Sequence, residues 1–288
     1  MKKADDILLT LSKEAETEIK EKVRSFLYDK DLGNQVIKDN IFSILEKVCK
    51  VLYFPIDDDE ICAFYRKVND TPFVFINTAI PYEKQVFAAA HELAHLWGIG
   101  NNQSEVLQNS DVYDFTESNF VDHKNHSEEL ANRLAAELLV EEKVLQKELN
   151  NREIHKNKVS LKNIVELMDV FLVPYKTIVR RLYEINYIDD VDCMKLLAIP
   201  ARGKDSEIIR LQMRYELCMK NNQRDQRKKL TNFLDLSLKA YEQHLRTFVR
   251  LTYLLSRVDR TPDEFGIKEV TTNMLSETEL EKLLDDDQ

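Results

Sequence analysis

The most informative part of the sequence is AAAHELAHLWGIGNN, from Ala88 to Asn102. Its Ala-rich start favours a helix. Two His residues four positions apart lie on one face of a helix, so the imidazoles of His91 and His95 can reach one metal ion. Glu92 stands beside them, where a Glu takes a proton from metal-bound water and does not bind the metal itself. The stretch therefore predicts a metal site that needs a third protein ligand from elsewhere.

Three candidates compete for the place of the third ligand. Asn101 stands where the metzincin string HExxHxxGxxH has its last His, but Asn is a poor zinc ligand. His123 and His126 lie in the polar stretch 101–127, which reads as a loop over the site, and imidazole suits zinc. A carboxylate on the helix that follows this stretch is the third candidate.

Helix geometry separates two adjacent carboxylates on that helix, SEELANRLAAELLVEEKVL, for which Ser127 is the predicted N-cap. At about 100° per residue, its apolar residues form one stripe. The stripe consists of Ala131, Leu134, Ala135, Leu138 and Leu139. Glu128 lies on this stripe, whereas Glu129 points to roughly the opposite side. Because a core-facing carboxylate needs a metal or another partner, we predict Glu128 as the third ligand, with a salt bridge to a buried Arg or Lys as the alternative.

Asn132 lies one turn after Glu128 on the same predicted helix. From there its side chain can hydrogen-bond to a ligating carboxylate or His and orient it. We therefore predict a supporting role for Asn132 next to the metal ligands.

The segments around the site indicate a small sheet among many helices. ICAFYRKV and FVFIN flank the turn NDTP and are rich in aromatic and β-branched residues, which predicts a pair of strands. Helical periodicity covers residues 5–50, a helix opened by Pro81 and ended by Gly98 or Gly100, and the segment from 127 onward. In residues 160–188, two further helices joined by LVP give a helix-turn-helix outline. We predict an α+β, mostly helical fold whose sheet packs on the HExxH helix.

Composition limits the class of protein. A hydrophobic content of 43% suits a globular core, and a net charge of -10 opposes non-specific attraction to nucleic acid. The four Cys form no CxxC pair, which fits reduced structural thiols. The amino terminus lacks the apolar region of a secretory signal, and no run approaches the roughly 18 apolar residues of a membrane span. We therefore expect a cytoplasmic protein that does not bind membranes.

Two motifs resemble the ImmA/IrrE-type metallopeptidases. The family's strand ending in IN, its Pro and its FTLAHELGH are similar to FVFINTAIP and VFAAAHELAH, and its later ExxANxFAxxLL is similar to EELANRLAAELL. The resemblance covers about residues 40–188. It implies a gluzincin-like site with one zinc per chain, with His91, His95 and Glu128 as ligands and Glu92 as the base.

With this resemblance, we predict three regions. Residues 1–150 form a zincin-like metallopeptidase domain with N-terminal packing helices, and residues 151–190 form the helix-turn-helix-like segment. Residues 189–204 are typical of a linker. Residues 205–288 form a C-terminal helical domain with two long helices, separated near NNQRDQRKK, and an acidic tail. Its predicted helix-pair core consists of Leu230, Phe233, Leu234, Leu238, Tyr241 and Leu245.

The resemblance also implies a function. It indicates a cytoplasmic zinc endopeptidase that cleaves a helix-turn-helix transcriptional repressor, an anti-repressor role in mobile-element or stress genes. Tyr113 is a candidate oxyanion stabiliser.

The alternative is a regulator that binds DNA or a repressor through residues 160–188, with a non-catalytic metal. The basic residues behind this alternative are Lys156, Lys158, Lys162, Lys176, Arg180 and Arg181. A solvated helical face is the simpler interpretation of these charges, so DNA binding is possible but not favoured. Glu92 also favours the peptidase, since a structural zinc closed by four ligands needs no base.

Overall fold

The structure is a computed structural model that describes residues 12–99 and 126–268. Over these ranges it contains eleven α-helices and one four-stranded sheet, which confirms the predicted α+β, mostly helical class. The helices are α1 (Lys13–Asp29), α2 (Asn40–Glu46), α3 (Tyr82–Leu96), α4 (His126–Leu139), α5 (Glu142–Asn151), α6 (Leu161–Phe171), α7 (Tyr175–Glu184), α8 (Asp190–Leu197), α9 (Glu207–Tyr215), α10 (Phe233–Glu242) and α11 (Phe248–Ser256). The strands are β1 (Lys50–Phe54), β2 (Ala63–Val68), β3 (Thr71–Asn77) and β4 (Lys229–Leu230).

The sheet is mixed, with the strand order β2-β3-β1-β4. The predicted strand pair is confirmed: β2 and β3 run antiparallel, with Phe64 opposite Phe75. Asn69 and Asp70 join them with positive φ angles of 47° and 61°, which is the backbone of a tight hairpin turn. The other two strands were not predicted. β1 pairs with β3 in parallel, and β4 adds two residues to the far edge of β1 from a distant part of the chain.

Asn77 connects the end of the sheet to the start of α3. Its side chain is fully buried, and its Oδ1 accepts hydrogen bonds from the backbone N–H groups of Ile56 and Ala79, both at 2.9 Å. Its Nδ2 donates to the carbonyls of Ile56, Asp58 and Ile61 at 3.0, 3.0 and 2.8 Å. One buried amide thus satisfies backbone groups that would otherwise lack partners, and it ties the loop after β1 to the turn that leads into α3.

The carboxyl-terminal part differs from the prediction. Residues 189–204 are not a simple linker, because they contain α8, which buries Cys193 and Leu197 and is capped by the Asp189 side chain. After residue 205 the chain forms α9, β4, α10 and α11, all short, in place of two long helices. A non-helical stretch follows α9, and its last residues pair with β1. The prediction of long helices was wrong because it did not foresee that strand.

The chain divides into two compact units between Thr231 and Asn232. The first unit holds both the region 1–150 and the region 151–190 of the sequence analysis, and it also holds residues 205–231, which were assigned to the C-terminal domain. In the second unit, Leu251, Leu255 and Val258 are buried, whereas the predicted core residue Leu245 is exposed. Over the two described ranges, no helix has the length and apolar composition needed to cross a membrane.

The Asn77 network gives a stability prediction. Asn77→Ala leaves several buried backbone groups without partners, so we expect it to lower the free energy of unfolding by about 3 kcal/mol. Urea denaturation followed by circular dichroism measures this change. Asn151→Ala, at an exposed position on α5, is the control and should shift stability by less than about 0.5 kcal/mol. Equal stability of the two variants would contradict the role given to Asn77.

Candidate metal centre

Small side chains bring two helices together at the centre of the first unit. α3 buries Ala88, Ala89 and Ala90, and α4 buries Ala131 and Ala135. Alanine favours the helical backbone and takes little space, so the two helix axes can approach each other closely. This approach carries Glu128, near the start of α4, to the face of α3 that holds the two His side chains.

The carboxylate of Glu128 lies between two imidazoles. His91 Nε2 is 2.9 Å from Glu128 Oε2, and His95 Nε2 is 3.3 Å from Glu128 Oε1. The two Nε2 atoms are 3.0 Å apart. The three groups form a cluster that could hold a metal ion, with one ligand atom from each lying within 4.8 Å of the others. The structure thus brings together the three side chains that were predicted as ligands.

The donor set fits a zinc ion by two observations. Tetrahedral zinc with bonds of 2.0–2.1 Å keeps its ligand atoms about 3.3 Å apart, close to the separations found here. In addition, Oε2 of the buried Glu92 has no hydrogen-bond partner among the residues that the structure describes. A buried carboxylate oxygen without a donor favours a site that receives a polar ligand such as water.

The charges of the cluster shift the proton equilibria of its members. Burial raises the pKa of the Glu128 carboxyl, but the hydrogen bonds and charges of His91 and His95 outweigh burial and lower that pKa to about 2. Burial lowers the pKa of His91, yet its hydrogen bond to Glu128 and the nearby carboxylate charges raise this pKa above its ordinary value. Burial raises the pKa of Glu92, and the two His residues oppose that shift. The Glu128 carboxyl is therefore ionised at neutral pH, and its charge favours positive charge at the two His side chains.

Asn132 supports His91 from the side away from Glu128. Its Oδ1 is 2.7 Å from His91 Nδ1. Because an amide oxygen only accepts hydrogen bonds, this contact places a proton on Nδ1, so Nε2 is the ring nitrogen available to bind a metal. The contact matches the supporting position that helix spacing predicted for Asn132.

The end of α3 is held by α1. Phe26 packs on Trp97 with ring centroids 4.6 Å apart, and Lys22 Nζ donates to the Trp97 carbonyl at 2.7 Å. A cation at the carboxyl end of a helix also interacts favourably with the helix dipole. Gly98 follows with a φ of 73°, which confirms that a glycine ends this helix after His95. These contacts of α1 were not predicted from the sequence.

The remaining candidates have mixed outcomes. Asn101, His123 and Tyr113 lie outside the described residues, and so do Gly100 and the side chain of His126. Helix α4 begins at His126, so Ser127 lies inside the helix and is not its N-cap. Glu129 is half-buried and is not part of the cluster.

Comparison with known proteins finds a similar family. Residues 47–183 match the family model described as the IrrE N-terminal-like domain, which is a peptidase family. This segment is therefore similar to an IrrE N-terminal-like domain. The match contains the whole cluster of His91, His95 and Glu128, and it confirms the resemblance to the ImmA/IrrE family that the two motifs indicated.

Other comparisons add little. No curated protein matches the chain. A solved structure titled "Mycobacterium tuberculosis transcriptional regulator" is similar at 16% sequence identity with a TM-score of 0.28, over 57% of this chain and 51% of that chain. The similar region thus spans about half of that solved chain, and a TM-score this low supports no inference about fold or function.

The contact of Asn132 gives a prediction for metal affinity. Asn132→Leu removes the acceptor that orients His91, so we expect zinc to bind about tenfold more weakly. Asn132→Asp keeps an acceptor oxygen at this position and should bind zinc nearly as tightly as the unaltered chain. Competition with a chromophoric chelator measures the dissociation constants. If Asn132→Leu binds zinc as tightly as Asn132→Asp, the hydrogen bond does not orient a ligand.

Proposed function

We propose that the chain is a zinc-dependent endopeptidase with a gluzincin-like site. In this proposal His91, His95 and Glu128 bind one zinc ion, and Glu92 is the general base. The observation that carries it is the convergence of three donor side chains next to a buried carboxylate oxygen that has no hydrogen-bond partner in the described parts of the chain. The match of residues 47–183 to a peptidase family supports the same reading.

The number of protein ligands in the cluster and their partial exposure favour a catalytic metal over a structural one. Within the described ranges the cluster has three protein ligands, the number typical of catalytic zinc, which keeps a further position for water or substrate. The side chains of His91 and His95 are 14% and 15% exposed, so the cluster is not completely shielded from solvent.

The chain's own residues divide the work of peptide hydrolysis. A bound zinc supplies Lewis acidity, which polarises the scissile carbonyl and lowers the pKa of a water molecule. Glu92 then accepts a proton from that water as its oxygen bonds to the carbonyl carbon. When the C–N bond breaks, Glu92 delivers this proton to the leaving amine. Asn132 keeps His91 in the orientation that directs Nε2 into the cluster.

The proposed substrate is a helix-turn-helix transcriptional repressor that the enzyme cleaves at a specific site in the cytoplasm. The support for this substrate is the resemblance to the ImmA/IrrE family. Cleavage of a repressor would release the genes that it silences, which is the anti-repressor role expected in mobile-element or stress responses.

The burial of α7 argues against the rival function of DNA binding. A recognition helix must present its side chains to the groove. In α7, however, Lys176 is 7% exposed and Arg181 is fully buried, and Arg181 pairs with Glu137 and Glu184. Two of the six basic residues behind the rival function are therefore buried, and neither a DNA-binding face nor a solvated face describes them.

The role of Glu92 can be tested directly. We expect Glu92→Gln to lower the rate of peptide cleavage by a factor of about 10²–10⁴ while bound zinc stays unchanged, because the amide cannot accept the proton. Cleavage is measured by mass spectrometry on a proteome-derived peptide library and on a panel of purified helix-turn-helix repressors.

Glu129→Gln is the matched control for this experiment, since Glu129 lies outside the cluster. This variant should cleave at the rate of the unaltered chain. Unchanged cleavage by Glu92→Gln would remove Glu92 from the mechanism, and no cleavage by the zinc-loaded unaltered chain would contradict the peptidase proposal.

A further inference from the structure

A buried ring of four charges joins the helix that carries Glu128 to α7. We infer that this charge ring, formed by Arg133, Glu137, Arg181 and Glu184, is the positioning element that sets Glu128 and Asn132 at the metal site. The inference rests on the proposed function, since it assigns the ring a role in metal binding.

Each member of the charge ring contacts two members of opposite charge. On α4, Arg133 Nη1 lies 3.0 Å from Glu137 Oε2, and on α7, Arg181 Nη1 lies 2.5 Å from Glu184 Oε2. Two contacts cross between the helices: Arg133 Nε to Glu184 Oε1 at 3.3 Å, and Arg181 Nη1 to Glu137 Oε2 at 3.0 Å. The four contacts close the ring.

The charge ring is shielded from solvent. The side chains of Arg181 and Glu137 are 0% and 2% exposed, and those of Arg133 and Glu184 are 10% and 22% exposed. In such surroundings an unpaired charge is strongly destabilising, whereas a fully paired set is tolerated. A shift of α4 along α7 by one turn would bring like charges together or leave a charge unpaired. The ring therefore permits only one relative position of α4 and α7.

A further contact from α7 holds the carboxyl end of α4. Arg181 Nε donates to the carbonyl of Val140, just beyond that end, at 2.9 Å. A guanidinium at this place satisfies a carbonyl that the helix leaves without a partner, and it interacts favourably with the helix dipole. The Arg181 side chain thus contacts the Glu137 side chain on α4 and the backbone carbonyl of Val140 just beyond it, which fixes both the rotation and the axial position of the helix.

The position of α4 controls the geometry of the metal site. Asn132 is adjacent to Arg133, and Glu128 lies little more than one turn earlier on the same rigid helix. α4 therefore packs against α3 through its alanines on one face and against α7 through the ring on another. Any sliding or rotation of α4 displaces the carboxylate of Glu128 from the two imidazoles by a similar distance. Sites of this kind need their ligands within about 0.5 Å of the productive positions.

A stabilising role and a positioning role predict different results when the charges are removed together. Replacing a buried set of ion pairs with apolar residues of similar volume is often neutral or stabilising, because the charges no longer need desolvation. The quadruple variant Arg133→Met, Glu137→Leu, Arg181→Met and Glu184→Leu should therefore still unfold cooperatively in urea, with a midpoint lowered by no more than the loss of the Arg181 hydrogen bond to Val140 explains. Without the ring, however, α4 is no longer restricted to one position relative to α7.

We expect the quadruple variant to bind zinc about tenfold more weakly, as measured by chelator competition on the full chain. The visible absorption spectrum of the Co²⁺-loaded protein should also change, because it reports ligand geometry and not stability. The matched control is Lys162→Met with Glu166→Leu, which removes a more exposed ion pair on α6. This control should leave both zinc affinity and the Co²⁺ spectrum unchanged.

Zinc affinity and a Co²⁺ spectrum equal to those of the unaltered chain, in a folded quadruple variant, would overturn the inference. If the quadruple variant does not fold, Glu184→Gln decides, since Glu184 is the most exposed member and loss of its charge weakens one of the two ion pairs between the helices. A folded Glu184→Gln with a several-fold loss of zinc affinity supports the inference, and unchanged affinity overturns it. An unaltered chain that binds no zinc contradicts the proposed function instead.

Discussion

The contact between the Glu128 carboxylate and the imidazoles of His91 and His95 is the constraint around which the first unit is organised. A buried carboxylate is costly unless it is paired or binds a metal, and Glu128 is almost fully buried. Its partners are both on α3, so the cost is offset only when α3 and α4 approach closely. The alanines on the facing sides of the two helices make that approach possible.

Three peripheral contacts hold these helices in place. Asn77 fixes the chain where β3 turns towards α3, through its hydrogen bonds to backbone groups of the loop after β1. At the other end of α3, Lys22 and Phe26 of α1 hold the carbonyl and ring of Trp97. The charge ring ties α4 to α7. Local helix geometry thus places the ligands on the correct helix faces. Their exact positions depend on contacts between distant parts of the chain.

The central site was predictable because its geometry is local. His91 and His95 share a face by their spacing alone, and Glu128 was distinguished from Glu129 because only one of them lies on the apolar stripe of its helix. The position of Asn132 beside the ligands was predicted from the same helix period. The hairpin of β2 and β3 was also accessible, since its residue types and its turn are adjacent in the sequence.

The parts that were missed depend on contacts between distant residues. β4 has only two residues and pairs with a strand far away in the chain, so no sequence periodicity could predict it. Arg181 has the sequence pattern of a solvated or DNA-binding residue, and its burial depends on contacts with Glu137 and Val140, which are distant in the sequence. Asn77 ends the predicted strand FVFIN, but its role in joining two loops depends on backbone groups that the strand pattern does not indicate.

Elemental analysis after reconstitution with zinc gives the amount of metal bound per chain in the unaltered protein, Glu128→Ala and Glu129→Ala. We expect close to one zinc per chain in the unaltered protein and in Glu129→Ala, and loss of that zinc in Glu128→Ala. Retention of stoichiometric zinc by Glu128→Ala would contradict the assignment of the third ligand.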